Sequence, residues 1–363
     1  MPQRQISYRE AVSEAIKEEM ARDDRVFLMG EDVGVLGGAF GSTKGIYDVF
    51  GGERVLDTPI SETAIVGYAL GAAMAGMRPI VEIMRVDWMT ICMDEIVNQT
   101  AKMRYLSGGH PEVALVIRAT AEGGIGLGGQ HSQSFEAWFA HVPGLKVVMP
   151  STPYDVKGLL KAAIRDPNPV IFLEPGVLYG VSGPVPEEEY VIPLGEAEVK
   201  RAGKDVTIVA WGTLLPKTLN AAQTLAADGV EVEVVDPRTL RPLDIATIVD
   251  SVKKTGKLIV AHEAMKTCGM GAEIVALVQE RAFDHLDDAL SITEVDEDEA
   301  AVVPASVHPA GQGYCLTNVF LFQFTTAVTF QQDQPPELCS PVYTMDLTVS
   351  TIVSSWGSTS FSS

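Results

Sequence analysis

The chain has 363 residues, of which 46% are hydrophobic and 21% are charged, a composition typical of a globular protein long enough for two domains. Its formal net charge of −21 argues against a nucleic-acid surface, because binding to phosphates needs a basic patch. No run approaches the roughly 18 uninterrupted apolar residues that would predict a membrane-spanning helix.

The cysteines and the N-terminal segment indicate a reducing compartment. Cys92, Cys268, Cys315 and Cys339 lie far apart and form no Cys-x-x-Cys pair, so neither a zinc site nor a disulfide framework is predicted. The polar segment Met1–Glu10 leads directly into a helical pattern, without the apolar core of a secretory signal or an Arg/Ser-rich transit segment. We therefore expect a cytoplasmic protein with reduced cysteines.

The first half of the chain alternates between helical and strand patterns. The spacing of apolar residues predicts a helix over Ser7–Ala21 and a buried strand over Val26–Met29. The glycine-rich stretch Gly30–Gly45 predicts a loop at the carboxyl end of that strand, where ligands bind in open α/β sheets. A helix of mainly small residues is expected over Thr63–Met77. Further strands are predicted at Pro79–Met84, Ala114–Arg118, Lys146–Met149 and Val170–Leu173, and further helices at Met89–Tyr105, Ser134–Phe139 and Tyr154–Ile164.

This alternation predicts a mostly parallel sheet with helices on both faces, followed by a second α/β unit. Residues 181–195 are interpreted as a linker because the surrounding segment holds Pro, Gly and an acidic run. The second unit is predicted over residues 196–290, with strands at Val206–Trp211, Val230–Val235 and Leu258–Ala261 and helices at Leu215–Ala227, Asp244–Thr255 and Gly271–Ala282.

Residues 291–363 form an atypical tail. The periodicity of the preceding unit is lost there, and only Asn318–Phe324 has the pattern of a strand. Residues 282–363 contain eleven acidic residues and no Lys or Arg. Much of the negative charge therefore lies outside the body of the two predicted domains.

The segment Asp57–Glu62 places a carboxylate in the first turn of a predicted helix. Taken alone, it has an ordinary capping interpretation, since Ser61 suits an N-cap and Glu62 suits the positive end of the helix dipole. His131 follows a cluster of glycines and, taken alone, is interpreted as a structural hydrogen-bonding residue. Trp88 is equally consistent with a core aromatic.

With its neighbours, this segment resembles the beta subunits of the pyruvate, branched-chain and acetoin dehydrogenases, thiamine-diphosphate enzymes of the transketolase group. The resemblance covers roughly Ile6 to Asp284, and its motifs occur in the same order. It implies a transketolase-like pyrimidine-binding domain over residues 4–180 and a transketolase C-terminal-type α/β domain over residues 196–290. The matching segments are Phe27–Val33, Gly37–Gly41, Asn98–Tyr105, Gly129–Ser134, Pro143–Val148, Ala163–Pro167 and Asp236–Pro242.

The resemblance implies catalytic roles for Glu62 and His131. A glutamate at the position of Glu62 hydrogen-bonds the aminopyrimidine ring of thiamine diphosphate, so that the exocyclic nitrogen can take the proton from the thiazolium carbon. His131 is similar to the beta-chain histidine that faces the reacting carbon and assists proton transfer or reductive acylation of a lipoyl group. Trp88 and Ile60 are expected at the cofactor, although Arg85–Asp87 is more polar than usual in the family.

Two metal ions are implied as well. Five residues match positions that wrap a potassium ion in related beta subunits, largely through carbonyl oxygens, which suit a hard cation. An ordinary polar turn is the alternative interpretation. The chain has no Gly-Asp-Gly motif followed by paired asparagines, so Mg²⁺ and the diphosphate are expected on an alpha subunit. The potassium candidates are Leu115, Ala163, Ile164, Asp166 and Asn168.

The resemblance therefore implies an alpha2beta2 heterotetramer that decarboxylates a 2-oxo acid, with pyruvate as the first choice, and transfers the acyl group to the lipoyl arm of an acyltransferase core. It places docking of that core on the C-terminal domain, including His262 and Glu263, although these two are equally consistent with polar residues at a strand end. Residues 81–84 and 178–183 are slightly closer to acetoin-cleaving subunits, so acetoin or branched-chain substrates remain alternatives.

Two alternatives from other classes are weaker. A nicotinamide-dependent dehydrogenase would use the loop Gly34–Gly41, but this loop forms no GxGxxG turn with an acidic residue about 20 positions later. A non-catalytic scaffold would have no use for Glu62 and His131.

Overall fold

The computed structural model of the chain describes residues 4–123, 126–287 and 290–293. The predicted strand Asn318–Phe324 and nearly all of the predicted tail lie outside these residues. The strands are β1 (Gln5–Ser7), β2 (Val26–Gly30), β3 (Val55–Asp57), β4 (Arg78–Arg85), β5 (Val116–Ala121), β6 (Lys146–Val148), β7 (Val170–Pro175), β8 (Ser182–Pro184), β9 (Glu198–Arg201), β10 (Val206–Ala210), β11 (Val232–Asp236), β12 (Thr239–Arg241), β13 (Leu258–Ala261) and β14 (Ser291–Thr293).

Helices alternate with these strands. In the described part of the chain, none of them is both long and apolar enough to cross a bilayer. The helices are α1 (Tyr8–Arg22), α2 (Tyr47–Phe50), α3 (Glu62–Met74), α4 (Ala101–Leu106), α5 (Glu136–Ala140), α6 (Pro153–Arg165), α7 (Leu214–Ala227), α8 (Ile245–Thr255) and α9 (Met270–Ala282).

The first sheet has seven strands within the described ranges, in the order β12-β6-β7-β5-β4-β2-β3. All neighbours are parallel except β12, which pairs antiparallel with β6. Successive side chains of a strand face opposite sides, so Leu28 packs in the core with α1 and α6, whereas Phe27 and Met29 pack with α3. This confirms the predicted mostly parallel sheet with helices on both faces.

The second sheet has the order β14-β13-β10-β11-β9 among the described strands, with only β9 antiparallel. Helix α7 packs on one face, and α8 and α9 pack on the other. The core beneath α8 and α9 is continuous with the core beneath α3. The strand β12 follows β11 in the chain but belongs to the first sheet, so the two sheets are linked by both packing and backbone pairing.

Residues 181–195, interpreted as a linker, are packed against the first sheet's helices. Strand β8 pairs with β1, so the segment contributes backbone hydrogen bonds. Val185 and Ile192 are buried, and Tyr190 stacks on Tyr154 of α6 with ring centroids 4.6 Å apart.

The single helix predicted over Met89–Tyr105 is wrong. The chain instead forms a 3-10 segment over Val86–Cys92, a π-helical segment over Glu95–Thr100 and then α4. The hydroxyl of Thr90 donates to the carbonyl of Asp87 at 2.7 Å. Such local side-chain bonds compete with a regular helix.

A buried arginine stabilises the centre of the first sheet. Arg118 on β5 is 1% exposed and donates to Glu82 on β4 at 2.9 Å and to Glu174 on β7 at 2.6 Å. Burial raises the pKa of Glu82, and Arg118 opposes that shift. Ser42 donates to Glu82 at 3.2 Å, so the same charge cluster holds the glycine-rich loop.

Replacing Arg118 with Met should destabilise the protein strongly. Two carboxylates would remain buried without their cation, a change that typically costs about 3–5 kcal/mol. Arg25→Met is the matched control, because Arg25 pairs with Asp23 while its side chain is 57% exposed, and such pairs contribute at most about 1 kcal/mol. Urea unfolding measures both free energies; equal losses would contradict this role of Arg118.

Candidate active site at the carboxyl edge of the first sheet

Glu62 is the first residue of helix α3, which follows strand β3 in the chain. Its side chain is 7% exposed, and among the described residues its carboxylate makes no hydrogen bond or ion pair. Ser61 occupies the N-cap position, as predicted, but its hydroxyl makes no capping hydrogen bond. The site therefore contains a buried carboxylate that is available as a hydrogen-bond acceptor.

A second acid lies close to Glu62. Glu31 follows β2, and its pKa is raised by burial and then by the negative charges of Glu62, Asp32 and Glu82. These groups come together because β2, β3 and β4 are adjacent parallel strands whose carboxyl ends share one edge. Repulsion between like charges favours protonation of one acid in such a group, which agrees in direction with the raised pKa of Glu31.

The glycine-rich loop after β2 is tied to this edge. The backbone N–H of Gly34 donates to Asp57 at 2.7 Å, and the hydroxyl of Thr43 donates to the carbonyl of Val33 at 2.9 Å. A Cβ at Gly34 would lie 2.5 Å from the Asp57 carboxylate. Only glycine therefore allows the loop to approach the β3 end this closely.

Trp88 and His131 are brought together. Their rings meet edge to face, with centroids 5.4 Å apart and an interplanar angle of 85°. The hydroxyl of Thr63 on α3 donates to the carbonyl of Ile91 at 3.2 Å, which joins the beginning of α3 to the segment that bears Trp88. Glu62, Trp88 and His131 thus lie on connected elements at one edge of the sheet.

The segment 126–135, here termed the His131 loop, is bent by its own hydrogen bonds. The backbone N–H of His131 donates to Gly128 at 3.1 Å, and that of Leu127 donates to the hydroxyl of Ser132 at 2.8 Å. Gln133 donates to Asp87 at 2.9 Å. The loop is therefore anchored to the Trp88 segment on one side.

The polar residues Arg85 and Asp87, which depart from the family pattern, bind to residues on other segments of the chain. These contacts were not predicted from the sequence. Arg85 forms an ion pair with Glu122 and lies over the ring of Phe40 at 5.2 Å. Asp87 is 5% exposed and accepts from Gln133. The partners are 37 and 46 residues apart in the chain, so no local pattern indicates them.

Ile60 lies beside Glu62 but on the surface. Its side chain is 80% exposed, so it lines no enclosed pocket formed by the described residues. Tyr68 on α3 and Ile91 are also exposed, at 60% and 57%. The edge that carries Glu62 is thus bordered by an apolar surface.

The five potassium candidates lie together around the turn after α6, where several carbonyls already accept hydrogen bonds. Val170 donates to the carbonyl of Leu115 at 2.9 Å. Arg78 donates to the carbonyl of Ile164 at 3.0 Å and lies 3.4 Å from that of Asp166. A carbonyl oxygen has two lone pairs, so these atoms keep acceptor capacity for a cation.

The docking role implied for His262 and Glu263 is wrong. These side chains are 0% and 5% exposed and lie at the end of β13, inside the region where the two sheets meet. A partner protein cannot bind them without opening the core.

Comparison with known proteins identifies two domain families in the chain. Residues 4–181 match the pyrimidine-binding domain of transketolase, and residues 195–298 match the transketolase C-terminal domain. A solved structure of a split-gene transketolase, described as an inactive beta4 tetramer, superposes with a TM-score of 0.65 at 25% identity, covering 80% of this chain and 88% of that chain.

Relatives of higher identity are subunits of larger enzymes. The beta subunit of acetoin:2,6-dichlorophenolindophenol oxidoreductase from Cupriavidus necator is 50% identical over 293 residues, covering 78% of this chain and 86% of that subunit. Pyruvate dehydrogenase E1 component subunit beta of Dictyostelium discoideum is 46% identical, with coverages of 78% and 81%. The 2-oxoisovalerate dehydrogenase subunit beta of Bacillus subtilis is 47% identical, with coverages of 78% and 86%.

Proposed function

The chain belongs to the family of transketolase-type beta subunits that includes those of pyruvate, acetoin and 2-oxoisovalerate dehydrogenases, and on this premise we propose that it forms the pyrimidine-binding half of a thiamine-diphosphate site. The reaction proposed is decarboxylation of a 2-oxo acid, with pyruvate as the substrate, followed by transfer of the acyl group to a lipoyl arm. The observation that carries this proposal is the buried, unpartnered carboxylate of Glu62 at the beginning of α3.

Glu62 is the residue proposed to hold the pyrimidine ring. When bound, thiamine diphosphate supplies the electron sink that decarboxylation requires. The carboxylate of Glu62 would hold the ring by accepting a hydrogen bond from it and would thereby favour one placement of its protons. Burial strengthens this bond, because water competes less with it.

Glu31 is the second acid at this edge. Its pKa is raised by burial and by the charge of Glu62, so Glu31 holds a proton more readily than a free glutamate does. Neighbouring acids in different environments are a common arrangement in acid–base catalysis.

His131 is proposed to move a proton at the reacting carbon. Its ring orientation is restrained by the edge-to-face contact with Trp88, while the Gln133–Asp87 hydrogen bond restrains the backbone nearby. Trp88 and Ile60 are proposed to line the pyrimidine side of the pocket. Ile60 can line the pocket only when a second chain covers its exposed side chain.

An alpha subunit is the partner proposed to cover this surface, in an alpha2beta2 assembly. Ile60, Tyr68 and Ile91 present exposed apolar side chains beside the site, and contiguous apolar surface of this kind marks an interface. The glycines Gly67 and Gly71 leave room for close approach to α3, where a Cβ at Gly71 would meet nothing within 4 Å. The alpha subunit is also proposed to bind Mg²⁺ and the diphosphate.

Substrate choice is tested with the reconstituted complex. The chain co-purified with a candidate alpha subunit should bind thiamine diphosphate in titration and should turn over pyruvate with an artificial electron acceptor. Acetoin and a branched-chain 2-oxo acid are assayed in parallel. If the complex turns over either compound faster than pyruvate, that compound becomes the proposed substrate. Acetoin is a specific second candidate, because the acetoin subunit is the more identical of the relatives described above, at 50%. No cofactor binding and no turnover in an assembled complex would refute the proposal.

Replacing His131 with Ala should impair turnover much more than cofactor binding. Removal of a general acid–base group typically lowers kcat by about 10²–10⁴-fold, while the Kd for thiamine diphosphate should change by less than a few fold, because Glu62 stays in place. Steady-state kinetics and cofactor titration measure the two effects. His141→Gln, at an exposed histidine just after α5, is the control, and equal effects of both variants would contradict the role of His131.

Potassium is proposed to stabilise the turn after α6. The ion would share the carbonyls of residues such as Ile164 and Asp166 with Arg78. KCl should then raise the melting temperature relative to NaCl, because a ligand of the native state at about 100 times its Kd adds about 2.7 kcal/mol. Asn168→Ala should weaken the response to KCl. Identical melting of the unmodified protein in both salts would contradict the potassium site.

A further inference from the structure

A pair of buried acids, Glu136 and Glu263, lies where the His131 loop meets the second sheet. Glu136 directly follows the loop and begins α5, with 0% exposure; Glu263 follows β13, with 5% exposure. In the described part of the chain, none of the four carboxylate oxygens has a hydrogen bond of good geometry. Neither acid has a part in the proposed mechanism, and groups of this kind are unfavourable when ionised and buried.

Glycines allow close packing around these acids. A Cβ at Gly123 would lie 2.3 Å from the Ser134 hydroxyl and 3.0 Å from Cβ of Glu263. A Cβ at Gly212 would lie 3.2 Å from Oε2 of Glu263 and 3.0 Å from the methyl group of Met149. Gly123 just beyond β5, Ser134 of the His131 loop and Glu263 just beyond β13 are therefore packed directly against one another.

The electrostatic surroundings favour protonated acids. Burial, followed by the charge of Glu136, raises the pKa of Glu263 to about 8, and Lys217 opposes this only in part. Burial raises the pKa of Glu136 to about 7, with partial opposition from the indole of Trp211. Two close carboxylates cannot both ionise without strong repulsion.

The cations and the histidine nearby do not neutralise the pair. Lys217 on α7 is half-buried, and burial lowers its own pKa. Burial and the charge of Lys266 lower the pKa of His262 to about 4, so this ring is neutral at physiological pH. His262 stacks on Trp211 with centroids 5.1 Å apart and 6° between the rings, which fixes the wall against which the acids lie.

We propose that Glu263 is a positioning residue for His131: while Glu263 and Glu136 are protonated, both stay packed in the core where the His131 loop meets the second sheet, and loss of their protons above neutral pH loosens the loop. The link to catalysis rests on the role proposed for His131, whereas the attachment of the loop does not. A neutral acid is tolerated at this buried boundary, whereas two carboxylates there repel each other and draw water into the core.

The pH dependence has a definite sign. The native pKa values, about 8 for Glu263 and about 7 for Glu136, lie above the ordinary value of 4.5. The native state therefore keeps protons that the unfolded chain has already released. The contribution of the two acids to the free energy of unfolding is therefore greatest below about pH 4.5 and is lost as the pH rises through about 7 to 8. Replacing either acid with glutamine, which is neutral at every pH, should remove this loss of stability.

The test uses the assembled complex with Glu263→Gln. Between pH 6 and pH 9 the unmodified complex should lose melting temperature more steeply than the variant, and at pH 9 the variant should melt higher. Hydrogen exchange of peptides within residues 126–135, corrected for the intrinsic pH effect, should accelerate several-fold at pH 9 in the unmodified protein only. Glu280→Gln, at an exposed acid on α9, is the matched control and should behave like the unmodified protein.

A second variant keeps the test decisive. Glu136→Gln removes the other member of the pair and should flatten both pH dependences in the same direction, even if Glu263→Gln fails to assemble. If every glutamine variant that assembles follows the pH dependence of the unmodified protein in melting and in loop exchange, the proposed role of the protonated acids is refuted. Failure of both to assemble, with Glu280→Gln intact, would also refute it, because neutral isosteres should be tolerated.

Turnover separates this inference from the proposed function. In an active complex, the alkaline decline of kcat should move to higher pH in Glu263→Gln, with KM unchanged. An unmoved decline together with flattened loop exchange would overturn the link to His131. An assembled complex without thiamine-dependent turnover would refute the proposed function, while melting and loop exchange would still decide the role of Glu263.

Discussion

The shared carboxyl edge of three adjacent parallel strands, β2, β3 and β4, is the constraint on which the site depends. Because these strands end together, Glu31, Glu62 and the end of β4 converge, and a cluster of acids forms with no contribution from sequence proximity. Deeper in the sheet, Arg118 balances the carboxylates of Glu82 and Glu174. The same charge cluster holds the glycine-rich loop through Ser42, so stability of the sheet and geometry of the site are coupled.

Much of the fold could be predicted from the sequence where a pattern is long and local. Helix α1 has the expected apolar spacing and a capping box between Ser7 and Glu10, and the buried strand β2 is a continuous apolar run. Short edge strands such as β12 and β9 could not be predicted, because three or four residues carry no usable period. The crossing of β12 into the first sheet depends on distant pairing with β6, which no local signal contains.

The principal residues of the site could be predicted from the sequence, but the contacts that hold them in place could not. Family resemblance indicated Glu62, Trp88 and His131, and the structure places them on connected elements. Hydrogen bonds and ion pairs between distant residues hold that arrangement, and only the folded chain shows them. The docking assignment of Glu263 failed for the same reason: its charged neighbours come from α5 and α7, so a polar residue at a strand end is buried.

The central claim is that one buried carboxylate at the beginning of α3 directs proton placement on a cofactor shared between two subunits. Glu62→Gln keeps the size of the side chain and removes the charge, so the variant should assemble with its alpha subunit while kcat falls by about 10²–10⁴-fold. Glu53→Gln, an exposed acid before β3, should leave kcat unchanged. Turnover of the Glu62→Gln complex at the rate of the unmodified complex, measured at saturating thiamine diphosphate, would contradict the account.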